Sequence, residues 1–265
     1  MMIMKLISLN TWGGRIFGPL SEFIRKHRDT ADIFCFQEIF SSDRRDMVES
    51  RNTRIHLLDE IQSLLPDYSS HFYPVQDGFD EAGKIDFPIS TGQATFVQKK
   101  HAVIESGRMF THKERNSATG NGFGAFPSNI VYVRVRMNDT PLSILNFHGI
   151  AEPGNKRDTP ERIAQSKKIL DFLKTKHDQI ILAGDFNLMP DTQSIRMIEK
   201  HLMNLISKFS ITTTRSALSP WHGTKDQQDF ADYTFCSPSV RVARFTVPRE
   251  ELISDHLPMI LEIAD

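Results

Sequence analysis

A chain of 265 residues with 39% hydrophobic and 25% charged residues, 14 Gly and 13 Pro is long enough to bury about 70 to 75% of the surface it exposes when unfolded. This composition excludes the collagen-like, mucin-like and strongly disordered classes. Lys and Arg number 32 against 33 Asp and Glu, so no global field exists to hold a long polyanion, which counts against an architectural nucleic-acid binder but not against an enzyme that touches a few phosphates. Neither a repeat nor a linker divides the chain, and one domain over residues 1–265 is expected.

The N-terminal MMIMKLISLN is too short for a signal-peptide apolar region plus cleavage site, and polar TWGGR follows at once. No run approaches the roughly 18 to 20 apolar residues that span a bilayer, so stable membrane insertion is not expected and the predicted location is cytoplasmic. The two cysteines, Cys35 and Cys236, sit in apolar runs without metal-ligand spacing and read as buried free thiols of a reducing compartment.

In chain order, a strand is predicted over Met4 to Leu9, then a short helix around Leu20, Phe23 and Ile24, and a strand over Ile33 to Phe36. Leu57, Leu58, Ile61, Leu64 and Leu65 form a helical stripe stopped by Pro66. Asp77 to Thr91 reads as a long loop, followed by strands over Ala94 to Val97 and Ala102 to Glu105. A second long loop, Arg115 to Asn129, carries aromatic and small apolar residues able to pack over a cleft. Ile130 to Arg136 alternates at Val131, Val133 and Val135, and an Asn138-Asp139 hairpin turn joins it to Leu142 to Phe147. Thr159 caps a helix with Pro160 at its first position and Ile163, Leu170 and Leu173 facing inward. A strand over Ile180 to Ala183 precedes a helical period at Ile195, Ile198, Leu202 and Leu205, and the last strands are Tyr233 to Cys236, Val240 to Val247 and Met259 to Ile263. Many strands with three or four helices indicate two packed sheets flanked by helices.

The strand runs end or begin in polar residues that a core does not require: Asn10, Gln37 and Glu38, His148, Asp185 and Asn187, Asp232, and Asp255 and His256. With neighbouring strands antiparallel, the ends of some and the starts of others share one rim. In GDFN, positions i and i+2 point the same way, so Asp185 and Asn187 face one ligand while Phe186 turns inward. Asp232 is a natural partner for His256, because a buried carboxylate on one imidazole nitrogen fixes the tautomer and leaves the other nitrogen as a base. The ensemble is rich in oxygen donors and lacks cysteine, which suits Mg²⁺ or Mn²⁺ better than Zn²⁺.

The ordered set LNTW, FQE, NFHG, GDFN, ADYTF and SDH resembles the endonuclease/exonuclease/phosphatase, or deoxyribonuclease I-like, family over nearly the whole chain. The resemblance implies an α/β fold, a four-layered α/β sandwich with two central β-sheets, and metal-dependent attack on a phosphate ester. It implies Glu38 as the principal metal ligand, with Asn10 beside it and Asp255 completing the set directly or through water. It makes His256 the group that activates water, Asp232 its orienter, Asp185 and Asn187 residues that orient nucleophile or phosphate, and His148 a phosphate contact. His148 stands where apurinic endonucleases have a tyrosine, which argues against an abasic-site enzyme. Lys156, Arg162 and Arg215 are expected on the substrate side, Arg215 foremost, with Arg157, Asp158 and Gln165 nearby; residues 153 to 176 hold seven Lys or Arg against three Asp or Glu.

The leading expectation is a monomeric Mg²⁺- or Mn²⁺-dependent phosphoric ester hydrolase acting on a phosphodiester, a nuclease or phosphodiesterase. A phosphomonoesterase for a small metabolite is the first alternative, a lipid-head-group phosphodiesterase is another, and a catalytically inactive phosphate-binding scaffold is the reading from a different class. The scaffold would be marked by loss of the base or the metal carboxylate, and both are present.

Overall fold

The computed structural model describes residues 3–118, 126–137 and 140–264. Its elements are β1 (Ile3–Asn10), α1 (Phe17–His27), β2 (Ile33–Ser41), β3 (Glu49–Ser50), β4 (Thr53–Arg54), α2 (Leu57–Leu64), β5 (Tyr68–Asp77), β6 (Phe79–Asp80), β7 (Gly83–Lys84), β8 (Ser90–Gln98), β9 (Val103–His112), β10 (Ser128–Met137) and β11 (Thr140–His148). There follow α3 (Pro160–Lys174), β12 (Gln179–Asp185), α4 (Gln193–Glu199), β13 (Met203–Asn204), α5 (Leu205–Lys208), β14 (Asp232–Cys236), β15 (Arg241–Thr246) and β16 (Met259–Ala264).

Two six-stranded sheets form the centre, in the orders β15-β16-β1-β2-β8-β5 and β13-β14-β12-β11-β10-β9. Each has a single parallel pair, β1 with β2 and β11 with β12, set between antiparallel neighbours. Strands of both sheets alternate two apolar faces, as expected where neither face meets water. In the first sheet Ile7, Leu9, Phe34 and Phe36 pack with Leu20, Phe23 and Ile24 of α1 and Leu57 and Ile61 of α2. Leu6, Ile33 and Cys35, one residue out of phase, join Leu145 and Ala183 of the second sheet, in a core that also takes in Ile169 of α3 and Ile195 and Ile198 of α4. Helices, sheet, sheet and helices therefore make four layers, and the predicted α/β sandwich is the observed fold.

Several expectations need correction. The period through Ile195, Ile198, Leu202 and Leu205 is not one helix, because α4 stops at Glu199 and the Asn204 side chain caps the short α5 by accepting from the Ile206 N–H. The inner face of α3 is Arg162, Gln165, Ser166, Ile169 and Leu173, with Ile163 and Leu170 only partly buried. Asp77 to Thr91 contains the β6–β7 hairpin, and Phe126 from the second long loop packs edge to face on Phe79 at 5.2 Å. The Asn138-Asp139 turn and residues 119–125 lie outside the described residues. Cys35 and Cys236 are buried free thiols, pushed up to about 12 and about 11 by desolvation, so neither supplies a thiolate nucleophile near neutral pH. Among the described residues no helix is long and apolar enough to cross a membrane.

Candidate active site

The parallel pair β1 and β2 ends at one rim, and β16, antiparallel to β1, starts there. The second sheet does the same with β11 and β12 ending and β14 starting, so that Asp185 lies opposite Asp232 in register. Asn10, Glu38, His148, Asp185, Asp232, Asp255 and His256 meet at this rim because strand direction brings them there. Phe186 anchors the turn that follows β12, its ring against Phe147, Tyr233 and Phe235 at 4.8 to 5.5 Å; a buried ring of this size is worth about 3 to 5 kcal/mol against alanine. Asn187 takes a positive φ of 53° and its N–H donates to Asp185 Oδ1 at 2.8 Å.

His256 Nδ1 lies 2.8 Å from Asp232 Oδ2, with both side chains almost fully buried. That contact leaves Nε2 on the cavity side, 3.7 Å from Asp185 Oδ2. Burial and the Arg215 guanidinium press the imidazole pKa down, yet the carboxylates of Asp232, Asp255 and Asp185 outweigh them and raise it above 6.5. Burial raises Asp232 against the pull of His256. Asp185 would also be raised by burial, but His256, Lys156, His148 and Arg215 surround it and hold its carboxyl well below the usual range. Asp185 is thus an ionised, buried acceptor at the centre of the rim.

Arg215 enters through a β-bridge to His256, closed by the Leu257 N–H to the Thr214 carbonyl at 2.8 Å. One guanidinium nitrogen donates to Asp255 Oδ2 at 2.6 Å and the other meets His256 Nε2. Lys156 donates from Nζ to Asn187 Oδ1, and desolvation holds its pKa below the ordinary lysine value. His148 Nε2 stands 3.8 Å from Glu38 Oε1 and 3.7 Å from Asp185 Oδ2. These side chains line a cavity of about 350 Å³ together with Trp12, Arg15, Glu81 and Trp221. A second cavity of about 600 Å³ shares Lys156, Asn187, Arg215 and Trp221 with it and extends over Asn155, Gln227 and Gln228.

Two predicted residues act differently from expectation. Asn10 turns Oδ1 to the Trp12 N–H at 3.0 Å and donates from Nδ2 to Glu38 at 2.9 Å and Asp185 at 3.1 Å. It offers a partial positive charge between two carboxylates instead of an oxygen to a cation. Arg162 is not on the substrate side: it is 1% exposed, and its guanidinium donates to the carbonyls of Ile150, Ala151, Pro153 and Arg157. The loop after His148 is folded around that cation. Nearby, Arg157 pairs with Asp191, Asp158 accepts from the Gln193 and Ser194 N–H groups, and Gln165 bonds Thr111, Ser128 and Ile150.

Trp12, Arg15, Glu81 and Trp221 were not singled out as site residues by the sequence reading. Arg15 lies over the Trp12 ring at 4.2 Å and donates to Glu81 Oε2 at 3.0 Å. Burial first, then the adjacent Glu38 carboxylate, pushes the Glu81 carboxyl well above the ordinary range.

Asp185, Asp232 and His256 each bring a potential ligand atom within 4.8 Å of the others, and among the described residues this trio could hold a metal ion. Two of its members already share a hydrogen bond; Glu38 and Asp255 line the same cavity, each with one oxygen taken, by Asn10 and by Arg215. An all-oxygen carboxylate set fits Mg²⁺ or Mn²⁺.

A two-sheet sandwich with this rim of carboxylates, amides and an Asp-paired histidine defines a metal-dependent phosphoesterase framework. The sequence profile described as "Endonuclease/Exonuclease/phosphatase family" matches residues 7–256, and the chain belongs to that family. Solved structures similar to it include a family protein of Leptotrichia buccalis (TM-score 0.73, 15% identity, 99% of this chain and 100% of that one) and one of Bacteroides thetaiotaomicron (0.70, 18%, 99% and 98%). A mannosyl-6-phosphatase of Bacteroides thetaiotaomicron is also similar (0.69, 19%, 99% and 100%). At these identities the likeness shows the shared fold. No curated protein matches the sequence.

Proposed function

We propose that the protein is a Mg²⁺- or Mn²⁺-dependent hydrolase acting on the phosphate ester of a small polar molecule. Family membership and the carboxylate-histidine rim support the hydrolase. The observation that carries the substrate size is the cleft: the cavity beside the site is lined by Trp221, Asn155, Gln227 and Gln228, with the acids Glu152 and Asp226 among them. An aromatic face with amides suits an uncharged polar ring, while two carboxylates repel a polyanion. Four of the seven basic residues over 153–176 are engaged away from the site. Arg157 and Lys174 are ion-paired, Arg162 is buried on carbonyls, and Lys176 lies over the rings of Tyr132 and Phe172. A phosphodiester, the leading reading of the sequence, is the second reading; continuity of the two cavities past Arg215 favours it, because a second ester arm has somewhere to lie.

Glu38 and Asp255 would hold the divalent ion, which when bound would neutralise charge growing on the phosphate oxygens. His256 Nε2 takes the proton of the attacking water, and Asp232 keeps the opposite nitrogen protonated and the ring in place. Lys156, Asn187 and His148 face the same space and bind and orient the phosphate. Arg215 lines the same space, its guanidinium resting on Asp255 and His256, and its planar fork fits two oxygens of one phosphate.

Turnover of p-nitrophenyl phosphate, bis-p-nitrophenyl phosphate, sugar phosphates and short DNA strands with Mg²⁺ or Mn²⁺ tests the reading. Monoesters should be hydrolysed fastest, and EDTA should abolish activity. Preferential cleavage of DNA would overturn the substrate assignment, and activity that survives EDTA would overturn the metal dependence.

A further inference from the structure

The β6–β7 hairpin carries one acidic residue into the site. Asp80, fully buried, accepts from Arg51 and from Ser50 Oγ at 2.8 Å, and fixes the hairpin base. The Glu81 N–H donates to Thr53 Oγ1 at 3.2 Å and the Ala82 N–H to Asp80 Oδ1 at 2.9 Å, so the two-residue turn between Asp80 and Gly83 is held at its own backbone. Glu81 projects from that turn to line the cavity with Glu38, Asp255 and His148. Its side chain is only 8% exposed, and its carboxyl comes within hydrogen-bonding reach of Glu38.

Of its two oxygens, Oε2 meets Arg15, whereas Oε1 is buried without a hydrogen-bond partner among the described residues. A buried carboxylate oxygen left bare is costly, and a second carboxylate beside it worsens the balance. Gly13, whose φ of +56° is one that side chains rarely adopt, packs against this oxygen, and a Cβ there would press on Glu81 Oε1. The oxygen is thus enclosed without a protein donor among the described residues.

The geometry points to Glu81 as a further metal ligand, facing Glu38, so that the hydrolytic cation is held between the irregular turn of β2 at Glu38 and the turn of the β6–β7 hairpin. This rests on the metal-dependent reading above and goes beyond it. A second hard oxygen ligand raises cation affinity. Arg15, which donates to the same carboxylate, competes with the cation.

Mn²⁺ alone, titrated into the metal-stripped full-length protein by calorimetry, tests the assignment without reference to turnover. Glu81→Gln keeps the shape and removes the charge, and its Kd for Mn²⁺ should rise by about tenfold or more, with the Mn²⁺-induced rise in melting temperature reduced. Its metal-free melting temperature should be unchanged or higher, since one of two facing carboxylates is neutral. A Glu81→Gln protein that binds Mn²⁺ as the wild type does would show a protonated neighbour of Glu38 and overturn the inference. Arg15→Ala gives a second measurement independent of how Glu81→Gln folds: it should tighten Mn²⁺ binding several-fold, and unchanged or weaker binding counts against Glu81 as a ligand. A wild-type protein that binds no Mn²⁺ sinks the metal-dependent reading together with this one, whereas wild-type binding matched by Glu81→Gln removes only the role of Glu81.

Discussion

The Asp232–His256 pair permits a prediction whose size follows from its geometry. At 2.8 Å and with almost no solvent exposure, a charge-assisted hydrogen bond contributes about 1.5 to 3 kcal/mol. That difference sets the tautomer: it favours the ring with its proton on Nδ1 by about one to two decades, and only that ring has a lone pair at Nε2. Asp232→Asn should therefore lower kcat by about 10- to 100-fold or somewhat more, because the amide can donate to Nδ1 and select the opposite tautomer. His256→Ala should cost about 10² to 10⁴, which is about 3 to 5 kcal/mol. In the double variant Asp232 has nothing left to orient, so the loss should match His256→Ala within a few-fold. Each kcat would be measured with saturating Mn²⁺ on p-nitrophenyl phosphate, with folding checked by circular dichroism. Multiplication of the two losses on folded protein would refute the pairing and give Asp232 a contact of its own with ion or substrate.

If the neutral imidazole is the base, as proposed, its pKa, raised above 6.5 by the surrounding carboxylates, should put the acid limb of the kcat profile above pH 6.5; a limb at or below that value contradicts the assignment. The same limb should move to lower pH in Asp232→Asn, since a carboxylate that raises the pKa has been removed. Arg215→Ala should raise KM and Arg215→Lys should restore binding only in part, as a point charge cannot reproduce the fork that spans Asp255 and His256; unchanged kinetics in the alanine variant would leave the residue structural. Arg162→Ala leaves four backbone carbonyls without their donor and should lower unfolding free energy by on the order of 3 kcal/mol in urea denaturation. A rise in KM without a loss in stability would return Arg162 to the substrate side.

The rim was legible because each of its residues abuts an apolar run whose direction could be guessed. In the sequence Glu38, His148 and Asp185 follow apolar runs, and Asp232 and His256 precede them, so antiparallel neighbours bring them to one rim. β5 escaped because its residues are mostly half-buried and Pro74 sits at a break in register with β8, so period two never emerges. Glu81 escaped for another reason. It lies in a loop of mixed acids, and what makes it particular is its packing against Gly13 and its hold through Thr53 and, by way of Asp80, through Ser50 and Arg51, contacts between segments far apart in the chain. Arg162 was misplaced because helix capping fixes where α3 starts but not the path of the preceding loop, and that path decides whether the first turn meets solvent or carbonyls.

The Asp232–His256 hydrogen bond crosses from one sheet to the other, since Asp232 opens β14 and His256 leads into β16. Asn10 to Asp185 and Gln37 to Asn146 cross the same seam, at 3.1 and 2.7 Å. Neither half of the sandwich contains the whole pair, so on the proposed mechanism reactivity is a property of their docking. A sub-ångström slip between the sheets would leave helices, strands and most of the buried area intact while detaching the imidazole from its carboxylate. Chemical competence should thus fade with the first loosening of the inter-sheet packing, at a temperature or pressure where spectroscopy still sees a folded chain.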